Sequence, residues 1–284
     1  MRARPLIPAL LVLCGADVQA RDVPQKLRDL YNAIKDRGSC SNDLANGFWA
    51  TASGSNTYSY CGDHLDDGII YIQGKNGALA DMDIDCDGVQ GGPADDGRCA
   101  FNKSPDMQDT TAFQNSISRY RTGISDLNTY VHPYVVFGNT GRKDGWRTFD
   151  PTEYGVQPLS VIAVICGDKL VYGVWGDTNG DDGSHPMVGE TSLALATACN
   201  GDSMTGSHGY SETDVLYLAF TKKEAVPGAR GADWNAADYE TFAKSIEQLG
   251  DRLVDEIGSS ASRALAEWRL VVAAAIIGVI WVTM

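Results

Sequence analysis

A carboxylate at every second position in Asp81-Met82-Asp83-Ile84-Asp85-Cys86-Asp87 is the feature that most restricts how this chain folds. Side chains on a β-strand alternate between two faces, so a period of two predicts a strand. Asp81, Asp83 and Asp85 then share one face, and Asp87 joins them if the strand continues. Met82, Ile84 and Cys86 take the other face and point to a core. Like charges in a row repel one another, so the acidic face calls for cations that offset it.

Further strands are expected at Gly68 to Gln73, Ala78 to Asp85, Tyr134 to Gly138, Leu159 to Ile165, Lys169 to Gly176 and Thr213 to Phe220, all rich in β-branched and aromatic residues. Gly74 to Gly77 reads as a hairpin turn between the first two, and Cys166-Gly167-Asp168 as a tight turn between two others. The stretch around Trp49 and Tyr58-Ser59-Tyr60 reads as polar loop. Helical spacing of Val23, Leu27, Leu30, Tyr31 and Ile34 predicts a first helix from Val23 to Asp36. A stripe of Tyr239, Phe242, Ile246, Leu249, Leu253 and Ile257 predicts a last one from Ala236 to Ile257. Shorter helices are expected at Thr110 to Arg121 and from Glu190 to Ala198. This order implies an α+β fold with a β-dominated core and helices at both ends.

Residues 1–20 carry a positive start at Arg2 and Arg4, an apolar run from Leu6 to Cys14 and small residues ahead of Arg21, the pattern of a secretory signal peptide. At the other end, small residues at Gly258-Ser259-Ser260-Ala261, a spacer and the uncharged stretch Leu270 to Met284 form the pattern of a glycolipid (GPI) anchor signal. A short membrane tail is the rival reading of residues 261–284. Residues 21–260 remain as one domain, secreted and held at a membrane only through such an anchor.

Of seven cysteines, Cys14 lies in the leader. Cys40, Cys61, Cys86, Cys99, Cys166 and Cys199 remain, an even number that implies disulfides in an exported chain. Short loops suggest Cys40–Cys61, Cys86–Cys99 and Cys166–Cys199. A zinc site is disfavoured, because the chain has no CxxC pair and only four scattered histidines. Asn102-Lys103-Ser104 is a glycosylation sequon followed by Pro105.

With 37 acidic against 23 basic side chains, the net charge is −14. Such a surface repels nucleic acid. It serves solubility outside the cell, or attraction of a polycation.

Two motifs resemble the first half of a calcium-binding EF-hand loop: Asp83-x-Asp85-x-Asp87-Gly88 and Asp177-x-Asn179-x-Asp181. Their twelfth positions are Ala94 and Val188 where the bidentate Glu should stand. No metal or other cofactor is therefore expected. In Trp175-Gly176-Asp177, the strand period places Trp175 on the face of Asp177, where an aromatic ring could stack on a sugar. Glu190 follows a glycine at the expected start of a helix, whose dipole would hold it ionised.

The segments Asn46-Gly47-Phe48-Trp49, Asp81 to Gly88, Tyr172 to Gly180 and Met187-Val188-Gly189-Glu190 resemble the fungal chitosanases of glycoside hydrolase family 75. The resemblance covers roughly Gly38 to Gly250. It implies endo-hydrolysis of β-1,4-glucosaminyl bonds in chitosan, a cationic polymer, with inversion at the anomeric carbon; a monomer is expected. It implies Asp177 as base and Glu190 as acid, although the expected helix dipole suits Glu190 better as a base. Asp81, Asp83 and Asp85 become candidate subsite carboxylates and Trp175 a candidate stacking platform. A six-stranded double-psi-type β-barrel is compatible with the element order. The alternative from another class is a calcium-dependent surface module that binds polysaccharide without cutting it.

Overall fold

The computed structural model describes residues 20–100 and 107–258. The leader, the sequon at Asn102 and the C-terminal tail lie outside the described residues. No helix among those described is long and apolar enough to cross a membrane.

The described residues form ten strands: β1 (Arg21–Asp22), β2 (Asp43–Phe48), β3 (Tyr58–Cys61), β4 (Ile69–Gln73), β5 (Ala80–Asp85), β6 (Tyr134–Asn139), β7 (Val161–Cys166), β8 (Lys169–Asn179), β9 (Glu190–Ser192) and β10 (Tyr210–Phe220). The α-helices among the described residues are α1 (Gln25–Arg37), α2 (Gln114–Tyr120), α3 (Leu193–Asn200) and α4 (Tyr239–Glu256). The fold is α+β with a β-dominated core, as the element order predicted. Six strands pair in a closed cycle, β8-β6-β9-β5-β10-β7 and back to β8. Within it β5–β9 and β6–β8 are parallel and the other pairs antiparallel.

Two apolar cores follow from strand alternation. One gathers Met82, Ile84, Val135, Phe137, Val164, Trp175 and Tyr217. The other gathers Val136, Val161, Val174, Leu216 and Leu218 beneath Leu27 and Ile34 of α1 and Phe242, Ile246 and Leu253 of α4. The stripes predicted for both terminal helices therefore face the sheet. Asp238 caps α4 by accepting from Thr241 N at 2.8 Å, satisfying a donor that has no partner within the helix.

Three expectations are corrected. The turn at Gly74 to Gly77 forms, with Gly74 N donating to Ala78 O at 2.9 Å, but its strands do not pair with each other. β10 lies between β4 and β5 and pairs with both. The segment read as loop near Trp49 contains β2 and β3, a pair with two register shifts whose outer strand buries only Phe48, so alternation is blurred there. Glu190 does not start a helix: Glu190–Ser192 is a strand, and α3 begins at Leu193 with Ser192 as its cap. The apolar run Leu193 to Ala196 dominates the local pattern and hides a strand of three residues.

The three disulfides join the partners expected from loop length, with Cα–Cα distances of 5.7 Å for Cys40–Cys61, 5.6 Å for Cys86–Cys99 and 5.9 Å for Cys166–Cys199. They fit an extracellular protein.

Candidate active site

β6 organises the site. Its Val136 pairs with Asp177 of β8 on one side and with Glu190 of β9 on the other. Glu190 in turn pairs with Asp83 of β5. Neighbouring strands lie about 4.8 Å apart, so Asp177 and Glu190 stand roughly 10 Å apart at their Cα atoms, on one face.

A β-bulge sets this alignment. Val135 pairs with Trp175 and Val136 with Asp177, leaving Gly176 as an extra residue in β8. The bulge turns Asp177 to the face opposite Trp175. The expectation that both share a face is thus corrected. Trp175 is 2% exposed, packs edge-on to Phe113 with ring centroids 4.8 Å apart and donates from Nε1 to Asp177 O at 2.8 Å. It is a core ring beneath the base of the site and offers no open face to a sugar. Gly176 is needed because a Cβ there would lie 2.5 Å from Tyr134 Cβ and 2.6 Å from Leu127 Cδ1.

The resulting cleft, of about 380 Å³, is lined by the carboxylates of Asp85, Asp87, Asp177, Asp181, Asp182 and Glu190, with no Lys, Arg or His among the described residues that line it. Asp85, Asp87 and Asp177 each bring an oxygen within 4.8 Å of the others, a spacing that suits a small cation or an ammonium group. One member of this trio comes from the second EF-like motif and two from the first.

A strap at residues 107–113 walls the cleft. Its Ala112 N donates to Asp177 Oδ1 at 3.0 Å, and Thr178 N donates to the same oxygen at 2.7 Å. Asp177 Oδ2 is buried with no hydrogen-bond partner. Gln108 N donates to Asp87 Oδ1 at 2.6 Å. Thr111 is clamped to Asp126 through its N at 2.8 Å and its Oγ1 at 2.7 Å. Asp126, Thr111 and Gln108 had no sequence signal, since they lie in short polar stretches without periodicity. Gly176 had one: a glycine inside a strand pattern marks a bulge.

Burial and mutual repulsion raise these acids. Asp177 is pushed up to about 7 by burial, opposed by the Ala112 and Thr178 amides. Glu190 stands well above its ordinary value, first through burial and then through the charges of Asp85, Asp83 and Asp177. Asp85 is raised by burial and by Asp177. Of the alternating row, only Asp83 is exposed. Asp81 is 2% exposed and lifted to about 9 by burial and by Asp83, so it makes no open subsite. Asp85 is 6% exposed and belongs to the carboxylate trio.

Two acids on the strands that flank β6, both raised and both lining one cleft, fit a glycosidase-type site. The description "Fungal chitosanase of glycosyl hydrolase group 75" matches residues 82–256, and the chain belongs to that family. It is 42% identical over 251 residues to an endo-chitosanase of Aspergillus oryzae, covering 87% of this chain and 96% of that one. An endo-chitosanase of Aspergillus fumigatus is 42% identical over 256 residues, 89% of this chain and 98% of that one. Endo-chitosanase C of Aspergillus oryzae is 30% identical over 183 residues, 64% of this chain and 40% of that one.

Proposed function

We propose that this chain is an endo-acting chitosanase that hydrolyses β-1,4-glucosaminyl bonds with inversion, using Asp177 as general base and Glu190 as general acid. The observation that carries the reading is the shared pairing of both residues to Val136. Inverting enzymes hold their carboxyls roughly 6.5–9.5 Å apart, leaving room for a water beside the sugar. Two strand spacings, roughly 10 Å between Cα atoms, are compatible with that gap.

The role split follows from surroundings. Asp177 receives two backbone N–H bonds, which favour its ionised form. It takes a proton from the attacking water. Glu190 is crowded by other acids and lacks the helix N-terminus expected for it, so it retains a proton to give to the leaving oxygen. The acidic lining suits a substrate that carries ammonium groups. Asp83, exposed beside Glu190, is the remaining member of the row placed to bind a further sugar. The closed six-strand cycle with two parallel pairs supports a double-psi-type barrel. The terminal patterns support export followed by GPI anchoring. Release of the protein from expressing cells by phosphatidylinositol-specific phospholipase C tests the anchor, and an intact Met284 on membrane-bound protein refutes it.

Asp177→Asn and Glu190→Gln keep shape and remove the titrating group. Each should fold and lose about 10²–10⁴-fold in turnover. Proton NMR of early product should show the α anomer first. Near-native turnover in either variant, or the β anomer first, rejects the assignment. The oxygen spacing of the trio also favours one rival, a calcium-dependent binding module. That reading requires chitosan binding abolished by chelator and no release of reducing ends.

A further inference from the structure

With Trp175 buried, no aromatic ring lines the cleft among the described residues. A cleft of about 380 Å³ encloses the sugars beside a cut bond and no long chain, so a polymer must run on over its rim. One part of that rim is the loop 180–189, which leaves the cleft at Asp182 and returns to it at Glu190.

Trp49 stands against this loop. Its neighbours Phe48 and Ala50 are fully buried, and the strand period turns Trp49 the other way. It joins neither of the two apolar cores formed by the described residues. It stacks instead on His185, at the middle of the loop, with ring centroids 3.9 Å apart and planes 11° from parallel. Both rings are partly exposed. The pair is held firmly by its backbone. Trp49 N donates to Pro186 O at 3.0 Å, and Val188 N donates to Trp49 O at 2.8 Å. Met187 O accepts from Asn139 Nδ2 at 2.7 Å and from Asn179 Nδ2 at 3.1 Å. The near arm of the loop is tied down as well, since Lys143 N donates to Asp181 Oδ2 at 2.9 Å and Lys143 Nζ to Gly183 O at 2.8 Å. A surface already in place loses little conformational freedom when it binds.

We infer that the Trp49–His185 stack is a subsite for a glucosaminyl unit of the polymer beyond the two units that flank the cut bond. The inference rests on the proposed chitosanase reading and deepens it. A β-1,4-linked glucosamine carries its ring substituents equatorially, so its two faces present axial C–H groups and lie flat on an aromatic ring. Its ammonium, at the ring's edge, is attracted by the negative face of an indole. Asp181 and Asp182, on the arm of the loop between the cleft and His185, extend the negative potential towards the stack.

The test measures KM and kcat of Trp49→Ala, Trp49→Phe and His185→Ala on glucosamine oligomers of rising length and on long chitosan. Trp49→Ala should raise KM on long chitosan about three- to tenfold. Its kcat should change by less than about twofold, because the contact is the same in the ground and transition states. The rise in KM should shrink as the oligomer shortens, which a merely structural loss would not produce. Trp49→Phe keeps a ring and should recover most of the affinity. His185→Ala alters only a loop side chain, so it folds even if Trp49→Ala does not, and it should raise KM at least about twofold with the same dependence on length. Binding without turnover gives a further readout: a glucosamine hexamer titrated into Glu190→Gln should change the indole fluorescence, and change it less when Glu190→Gln also carries Trp49→Phe. A wild-type KM on long chitosan in Trp49→Ala or in His185→Ala, a rise equal at every length, or a loss confined to kcat overturns this inference alone. A wild-type protein that releases no reducing ends from chitosan overturns the functional reading and this inference with it.

Discussion

Titration of single buried groups gives this protein two opposed dependences on pH. His132 is 2% exposed; its Nδ1 accepts from Asn128 N at 2.8 Å and its Nε2 faces Trp234 O at 3.0 Å, an arrangement filled by the neutral ring. Burial lowers it to about 4, against 6.5 ordinarily. Between those values the unfolded chain takes up a proton that the folded chain refuses, so stability falls as pH drops from 6.5 and levels off below 4. The loss amounts to about 3 kcal/mol. Urea melts of His132→Gln should show a shallower slope over that window than wild type. Asp81 acts in the other direction. Raised to about 9, it holds its proton in the fold, and the stability this gives is full below the ordinary carboxylate range and is lost as pH rises through about 9. Asp81→Asn should flatten the alkaline side of the stability curve. In the rate itself, the proposed role of Asp177 as base puts the rising limb of kcat/KM near neutrality, where burial raises that group to about 7, since the profile reports the free enzyme.

Among the elements, β8 carries the decisive irregularity. Were Gly176 paired as a regular strand residue rather than bulged, Asp177 would turn to the side of Trp175 and leave the cleft. Gly176→Ala forces a Cβ against Tyr134 and Leu127, so melting should show a loss of about 1–3 kcal/mol and turnover should fall with it. A second glycine, Gly189, has a φ of 93° and would place a Cβ 2.6 Å from Asp81 Oδ1, which is how β9 comes close enough to β5 to bring Glu190 beside Asp83. What the sequence made legible follows from these elements. Strands β4, β6, β7 and β10 showed runs of β-branched and aromatic residues, and the terminal helices and the alternation at Met82 and Ile84 showed local periodicity. The disulfides were legible because each closes a short loop. The aim of Asp177, the strand at Glu190 and the strap with Asp126 were not, because a bulge, a three-residue strand and a side-chain clamp leave no periodic trace. The burial of Trp175 followed from the same bulge.

For the whole molecule, the net charge of −14 and the acidic cleft make attraction of a polycation long-ranged. Exposed charges are screened over about 10 Å at 0.1 M salt, so KM for long chitosan should rise with ionic strength while kcat changes less. A KM indifferent to salt would show that capture does not depend on that field. The placement of β10 between β4 and β5 bears on the order of events in synthesis. The strand with the acidic row cannot close against its nearest neighbour in sequence; it waits for a partner more than a hundred residues later. Its other partner, β9, also lies more than a hundred residues on, so a ribosome-bound chain halted before Glu190 has the acidic row and neither of its partners. Pulse proteolysis of such arrested chains should find the Asp81 to Asp87 segment open to cleavage until β9 and β10 emerge, and the capacity to attack a polysaccharide should arise late.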